Sequence, residues 1–359
     1  MTRPARVVID LPAIAANLDR VRGYAPGRRI MAVVKADAYG HGLRRAARAL
    51  TAADAFGVAC LEEAAELRES GVRQPIVLLE GAFSAAELPE IRRLRLETVV
   101  HQHEQLRALE ALPPGPPIPV WLKVDSGMHR LGFGCESVRD ARARLRACPQ
   151  VAPHVRLMTH LASAHVSGER STLDQIARFA EAIDGLPGER SIANSAAILA
   201  IASSHADWIR PGLALYGVSP FEGRTGADEG LRPAMTLESA LISVRRVGPG
   251  EAVGYAAAWR CPEAMPIGIV GIGYGDGYPR HAGSGTPVLV SGRRVQVIGH
   301  PSMDMLCVDL RAIPDAAIGD RVVLWGEGLP IEEVAKHAGT VPYELLCSVR
   351  MRARFGERG

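Results

Sequence analysis

Between residues 30 and 217 the chain repeats one alternation: a short apolar run, then a segment whose apolar residues recur at helical spacing. The runs are "IMAVVK" (30–35), "AFGVA" (55–59), "PIVLLE" (75–80), "ETVVH" (97–101), "VWLKVD" (120–125), "VRLMTH" (155–160), "RSIAN" (190–194) and "WIRPGLALYG" (208–217). Among the intervening pieces, "LEEAAELRESG" gathers Leu61, Ala64, Ala65 and Leu67 on one face and stops at Gly71. Eight strands separated by helices predict a parallel, closed (β/α)8 barrel of the TIM type rather than an open sheet. The proline-rich "LPPGPPIP" before the fifth strand is a connection that no helix would tolerate, not a domain boundary.

After about residue 230 the pattern changes to β-type segments joined by glycine-rich turns, such as "MTLESALISVRRVGPGE", "PIGIVGIGYGDGYP", "PVLVSGRRVQVIGH" and "DRVVLWGEG". One short helix, "IEEVAKHAG", interrupts them. Without alternating helices the sheet has to be largely antiparallel, which predicts a second domain. The expected division is therefore a barrel over residues 1–230 and a β domain over 231–359.

The bulk properties exclude several function classes. A formal charge of +3 over 359 residues, with the arginines scattered over helix surfaces, does not make a nucleic-acid-binding face. Six cysteines lie far apart with no CxxC pair, as free thiols in a reducing compartment would, and not as zinc ligands or disulfides. The start "MTRPARVVIDLP" has no signal-like apolar stretch, and no run approaches the ~18 apolar residues of a membrane span. A cytoplasmic protein is expected, with no bound metal.

In a parallel barrel, chemistry gathers where strands end. That rule selects Lys35, Glu80, His101, Lys123 with Asp125, His160, Asn194 with Ser195, and Arg210. Lys35 follows an apolar run directly, and an ammonium group is rarely buried without a partner or a chemical use. "ANSAAILA" places Ser195 as the expected cap of a helix, and "IRPGLALYG" sets the Gly212 and Leu213 amides just after Arg210. Loops after the seventh and eighth strands are the usual phosphate cradle of this barrel. A reactive lysine beside a phosphate cradle suggests a Schiff base with pyridoxal phosphate, although an aldolase acting on a phosphorylated sugar would use the same two features. "GIGYGDGYP" is not a dinucleotide loop, because its glycines alternate and Pro279 rather than a helix follows.

Taken together, "VVKADAYGHG", "LKVDSGMHRLGF", "MTHLASA", "ANSAA", "IRPGLALYG", "VGYAAAW", "GIGYGDGYPR" and "SMDM" resemble, in order, the motifs of alanine racemase, a fold-type III pyridoxal phosphate enzyme. The resemblance runs from about Asp10 to the final strands. It implies that Lys35 carries the cofactor as an internal aldimine and is the base on one face of the substrate. Tyr274 would be the opposite base, reaching the site from the partner subunit, so a homodimer with shared active sites would be obligatory. Arg210 would face the pyridine nitrogen, with His160 linking it to Tyr274. Tyr39, Ser195 and the Gly212 and Leu213 amides would hold the phosphate. Arg130 and the Met303 amide would bind the amino-acid substrate, Asp304 would support the Met303 loop, and Tyr255 would line the mouth. Lys123 matches a lysine often found carbamylated. His41 gains no role and reads as a turn residue.

Those implied roles are chemically coherent. Racemisation removes the α-hydrogen on one face and returns one on the other, which two opposed bases achieve without moving a group around the substrate. Free tyrosine ionises at about 10, so a tyrosine base needs cationic neighbours. A permanently charged arginine at the ring nitrogen discourages its protonation, making the ring a poorer electron sink and suppressing side reactions. Two departures from the family pattern stand out. Met351 in "CSVRMRARF" occupies the expected place of a phosphate-binding tyrosine, and "GHPSMD" carries His300 and Pro301 where an arginine and a small apolar residue are expected.

Three rivals differ in identifiable features. A basic-amino-acid decarboxylase of the same fold type favours an acid at the ring nitrogen, where Arg210 stands. A non-catalytic pyridoxal phosphate-binding protein is a lone barrel and leaves the second domain unexplained. A broad-specificity amino-acid racemase differs only in its pocket.

Overall fold

The computed structural model describes residues 3–166, 168, 170–349 and 352–359. The first strand, β1 (Arg6–Asp10), is followed by a helix, Leu11–Tyr24, whose first turn is capped by Asp10 accepting the Ala13 amide at 2.8 Å. Then come β2 (Arg29–Val33), β3 (Ala55–Val58), β4 (Ile76–Leu78), β5 (Glu97–Val100), β6 (Val120–Asp125), the two-residue β7 (Phe133–Gly134), β8 (Arg156–Met158), β9 (Arg190–Asn194) and β10 (Trp208–Arg210). The strands pair in the order β5-β4-β3-β2-β10-β9-β8-β6, all parallel, and β5 pairs with β6 to close the ring. The eight barrel strands are the eight runs read from the sequence.

The barrel interior follows from strand alternation. Met31, Ala55, Val77, Val99, Trp121, Met158 and Trp208 form one buried cluster, a single residue from each of seven strands. Beneath it, the Trp121 indole donates to Glu97 at 2.7 Å, and Arg156 ties Glu97 to Glu189. The closed, ion-paired end is thus the end where strands begin. Two residues further along the same face lie Lys123, His160 and Arg210, above the plug and facing the open end.

The second domain is built from β11 (Met235–Val247), β12 (Ala252–Val253), β13 (Trp259–Arg260), β14 (Met265–Val270), β15 (Pro287–Val290), β16 (Arg293–Ile298), β17 (Leu306–Asp309), β18 (Arg321–Trp325) and β19 (Arg354–Arg358). Strands β14-β17-β16-β15-β18-β11 pair antiparallel and β14 returns to β11, so this sheet also closes. Long β11 manages both ends because its register shifts between Leu241 and Ser243 and the strand bends there.

Two features depart from the expected division. Strand β1 pairs antiparallel with β11 and parallel with β19, so residues 6–10 sit in the sheet of the second domain rather than in the barrel. Beyond the expected helix, found as Ile331–His337, a second helix, Pro342–Ser348, folds back over the barrel's open end. Among the described residues no helix is long and apolar enough to cross a membrane.

Candidate active site

Strand β2 ends at Val33, and Lys35 lies in the turn beyond it, not in the strand as expected. The turn is unusual. Ala36, Asp37, Ala38 and Tyr39 all have φ between 52° and 54° with ψ between 43° and 54°, one turn of left-handed helix built from four non-glycine residues. Each costs roughly 1–2 kcal/mol relative to the right-handed form, so the turn persists only because its surroundings hold it. The Ala36 amide donates to Glu63 at 2.6 Å, and the Asp37 carboxylate accepts the Leu43 amide at 2.6 Å. Gly40 (φ 76°) closes the turn under the returning helix, where a Cβ would stand 2.2 Å from the Leu346 carbonyl oxygen. Lys35 is half-exposed, with its Nζ 3.8 Å from Glu80.

Above the plug opens a cavity of about 590 Å³, a size suited to a cofactor or small ligand. It brings together Lys35, Tyr39, Glu80, Lys123, Arg130, His160, Asn194, Ser195, Arg210, Gly212 and Leu213 from the sequence reading. His101 and Asp125 lie outside its wall: His101 bonds the Glu80 carbonyl, and Asp125 accepts the Gly127, Met128 and His129 amides.

At one side of the cavity Ser195 does not cap the helix Ser195–Ala200; Asn194 does, accepting the Ala197 amide at 3.1 Å. Ser195 Oγ instead accepts the Gly212 amide at 2.9 Å and the Ala214 amide at 3.3 Å, which leaves its own hydrogen to donate. A Cβ on Gly212 would stand 2.5 Å from the Tyr39 hydroxyl, so glycine is required for Tyr39 to reach this corner. Burial raises the Tyr39 phenol above its ordinary range and keeps it a neutral donor. The corner holds a third hydroxyl that the sequence reading missed: Tyr343, on the returning helix, with its ring centroid 5.9 Å from that of Tyr39. Position 351 lies outside the described residues; the signal for Tyr343 was "VPYELLC", whose helix start is legible but whose destination is not.

Cations dominate the rest. Arg210 is buried and donates to Ser191 Oγ and to the Thr159 and Ile192 carbonyls; the His160 ring is not among these partners, contrary to the expected link. Burial lowers Arg210 to about 10, which leaves it charged at neutral pH. Lys123 is lowered to about 8 by burial and then by Arg210, Arg130 and Lys35. The same burial and cations push His160 well below its ordinary value, so its ring is neutral. Among the described residues Glu80 is the one carboxylate lining the cavity.

Tyr274, Met303, Asp304 and Tyr255 are absent from the cavity wall. They sit on the second domain, with Tyr274 at 38%, Met303 at 52% and Tyr255 at 72% exposure. Tyr274 and the Met303 loop form one unit: the Tyr274 amide donates to the Ser302 carbonyl at 3.0 Å and the Gly275 amide to that of Met303 at 2.9 Å. Gly273 permits the approach, since a Cβ there would stand 2.2 Å from the Ser302 oxygen. Asp304 pairs with Arg352, and fully buried Asp276 accepts Arg3 and the Gly273 amide. Exposed His300 has its ring near Gly283, outside the cavity wall.

The donor set fits pyridoxal phosphate: a primary amine, a corner of three hydroxyls and the Leu213 backbone amide for a phosphate, and a fixed guanidinium on the neighbouring strand β10 for the ring. Comparison with known proteins gives the following likenesses. The family profile "Alanine racemase, N-terminal domain" matches residues 9–220, and "Alanine racemase, C-terminal domain" matches residues 234–355. The chain is 54% identical to an alanine racemase of Nitrosococcus oceani over 97% of both chains, and 50% identical to one of Vibrio cholerae over 99% of both. A solved structure, the biosynthetic alanine racemase from Pseudomonas aeruginosa, superposes with a TM-score of 0.97 at 47% identity over the whole of both chains. The alanine racemase from Acinetobacter baumannii superposes with a TM-score of 0.93 at 37% identity, covering 99% of this chain and 100% of that one.

Proposed function

Because the chain belongs to the alanine racemase family and interconverts L-alanine and D-alanine, we propose that it does so with pyridoxal phosphate and two opposed bases, Lys35 of one subunit and Tyr274 of its partner. The observation that carries this reading is the separation of the two halves of the site. One cavity holds the amine, the phosphate corner and the guanidinium, while Tyr274 and the Met303 loop stand exposed on the second domain of the same chain. A second copy of the chain, docking that face over the cavity, completes the site.

Pyridoxal phosphate, when bound, would supply an electrophilic carbonyl carbon toward the substrate amino group and a ring that withdraws electrons from the α-carbon. The protein supplies everything else. Tyr39, Ser195, Tyr343 and the Leu213 amide hold the phosphate, with the Gly212 amide fixing Ser195. Arg210, immobilised by three acceptors, sets an unvarying positive charge at the ring nitrogen. Arg130 and the partner's Met303 loop, held by Asp304, fix the substrate carboxylate, and Tyr255 narrows the mouth. Lys35 Nζ takes or returns the α-proton on one face, and Tyr274 Oη does so on the other.

Lys123 is the charge problem of the site. At about 8, part of it is the free amine at neutral pH, and a free amine attacks carbon dioxide. The ammonium first gives up one proton; the nitrogen–carbon bond then forms and a second proton leaves to solvent, so the resulting carbamate turns +1 into −1 beside Arg130. A carbamate would also neutralise the excess of cations around a lone Glu80. Free cysteines throughout the described residues suit a cytoplasmic setting.

The test is a racemisation assay over a panel of amino acids, with and without added cofactor. Alanine is expected to dominate and cofactor removal to abolish turnover; comparable rates on bulkier amino acids would favour a broad-specificity racemase. The shared site has its own test. Mixing inactive Lys35→Ala and Tyr274→Phe subunits is expected to restore up to about a quarter of native activity, because one site in each heterodimer receives both native residues and random mixing makes about half of the dimers heterodimers. No recovery after subunit exchange, shown by exchange of a labelled chain, would count against a site built from two copies.

A further inference from the structure

We propose that His41 is a positioning residue that holds Tyr39 for the cofactor phosphate, by donating one ring hydrogen to the carbonyls that close the left-handed turn. The proposal rests on the assignment of Tyr39 to the phosphate. His41 is fully buried, and its Nδ1 lies 3.0 Å from the Ala38 carbonyl and 2.9 Å from the Tyr39 carbonyl. Two carbonyl oxygens can only accept, so Nδ1 carries the hydrogen. That tautomer makes Nε2 an acceptor, and Nε2 is buried with no hydrogen-bond partner among the described residues.

The orphaned nitrogen is the informative part. An unsatisfied buried polar atom is destabilising, and an apolar ring of the same size would fill the space without one. Packing alone therefore does not account for histidine here. What histidine offers is a donor at Nδ1, aimed at the two carbonyls of a backbone that four L-residues hold in an unfavourable conformation. The ring does a second job. It stacks on Tyr216 at 4.4 Å, and Tyr216 packs against Tyr39 at 4.9 Å while its hydroxyl donates to the Val33 carbonyl at 3.0 Å. Tyr39 is thus held from behind by Tyr216 and through its own backbone by His41. Its hydroxyl is left against Gly212, in the phosphate corner. His41 itself does not line the cavity, so it acts through Tyr39.

Two conservative variants separate the donor from the ring. The side-chain nitrogen of His41→Asn can stand where Nδ1 stands, whereas that of His41→Gln reaches toward the Nε2 position. The readout is equilibrium binding of pyridoxal phosphate, and of pyridoxal without its phosphate, to the cofactor-stripped full-length protein, followed by quenching of intrinsic fluorescence. His41→Asn is expected to bind pyridoxal phosphate within about threefold of the native protein, and His41→Gln at least tenfold more weakly. Pyridoxal affinity is expected to change less than twofold in both. In a Tyr39→Phe background the penalty of His41→Gln is expected to shrink below threefold, because the two residues act in series.

Equal affinities for the Asn and Gln variants would overturn the proposal. So would equal losses for pyridoxal and pyridoxal phosphate, or an undiminished penalty in the Tyr39→Phe background. Should His41→Gln fail to fold, His41→Phe, which keeps the stacked ring, takes its place with the same expected tenfold loss. Failure of the functional reading looks different: the native protein itself would not bind pyridoxal phosphate.

Discussion

Replacing Lys35 with alanine is expected to lower racemisation by roughly 10⁴-fold or more and to abolish the visible absorption that pyridoxal phosphate gains when bonded to a lysine. The size follows from two lost functions. A positioned base is worth roughly 10²–10⁴ in rate, and loss of the amine also removes the covalent anchor that splits one difficult step into easier ones. The fold is expected to survive, because the Lys35 side chain is half-exposed and its partner is a loose ion pair to Glu80 at 3.8 Å. The phosphate corner is untouched by the substitution, so pyridoxal phosphate still binds. Absorption spectra of the reconstituted variant, read beside its melting temperature, make the measurement. A variant that folds, binds cofactor and keeps the lysine-type band would assign the anchor to another amine, and Lys123 would be the one to examine.

Tyr274→Phe is expected to produce a one-sided defect. Incubated in deuterium oxide, the variant is expected to exchange the α-hydrogen of L-alanine with retention about 10²–10⁴-fold more slowly than the native enzyme. Exchange of D-alanine with retention, which needs only Lys35, is expected to stay within about tenfold. Steady-state racemisation cannot reveal this asymmetry, since the two directions share one transition-state sequence and an equilibrium constant of one. Deuterium content within each retained enantiomer, read by mass spectrometry after chiral separation, does reveal it. Phenylalanine keeps the ring, and the turn around it depends on backbone bonds to Ser302 and Met303 and on Asp276, so the loop is expected to keep its shape. Equal losses for the two enantiomers would contradict a role confined to one face.

The barrel was legible because its determinants are local. Each strand is a short apolar run whose alternate residues point inward, and a residue two places beyond a plug residue faces the open end. Trp121 thus predicts the placement of Lys123, Met158 that of His160, and Trp208 that of Arg210, with no knowledge of how the strands meet. Lys35 and Ser195 were found the same way, from strand ends, although the details shifted. Ser195 looked like a cap, and the capping atom belongs to Asn194; the Ser195 hydroxyl instead accepts the Gly212 and Ala214 amides.

Residues brought in by distant segments were not legible from local pattern. Tyr343 enters the corner because the helix Pro342–Ser348 folds back onto Gly40, and nothing in "VPYELLC" encodes a contact some three hundred residues away. The N-terminal strand belongs to the second domain for the same reason: β1 finds its edges on β11 and β19. The left-handed turn is a more severe case. "KADAYG" has a glycine at only the last of its five positive-φ positions, so local propensity argues against the conformation it adopts. Bonds from Glu63, Asp37 and His41, the backbone bond from Ala38 to the Val34 carbonyl, and the closeness of Leu346 to Gly40 oppose that preference. The sequence by itself determined which barrel residues line the cavity and on which strands most of them stand, because strand period and strand ends are local properties. The tertiary structure alone decided how Tyr39 is aimed, which tyrosine joins it, and that Tyr274 stands outside its own chain's cavity, because those depend on contacts between segments far apart along the chain.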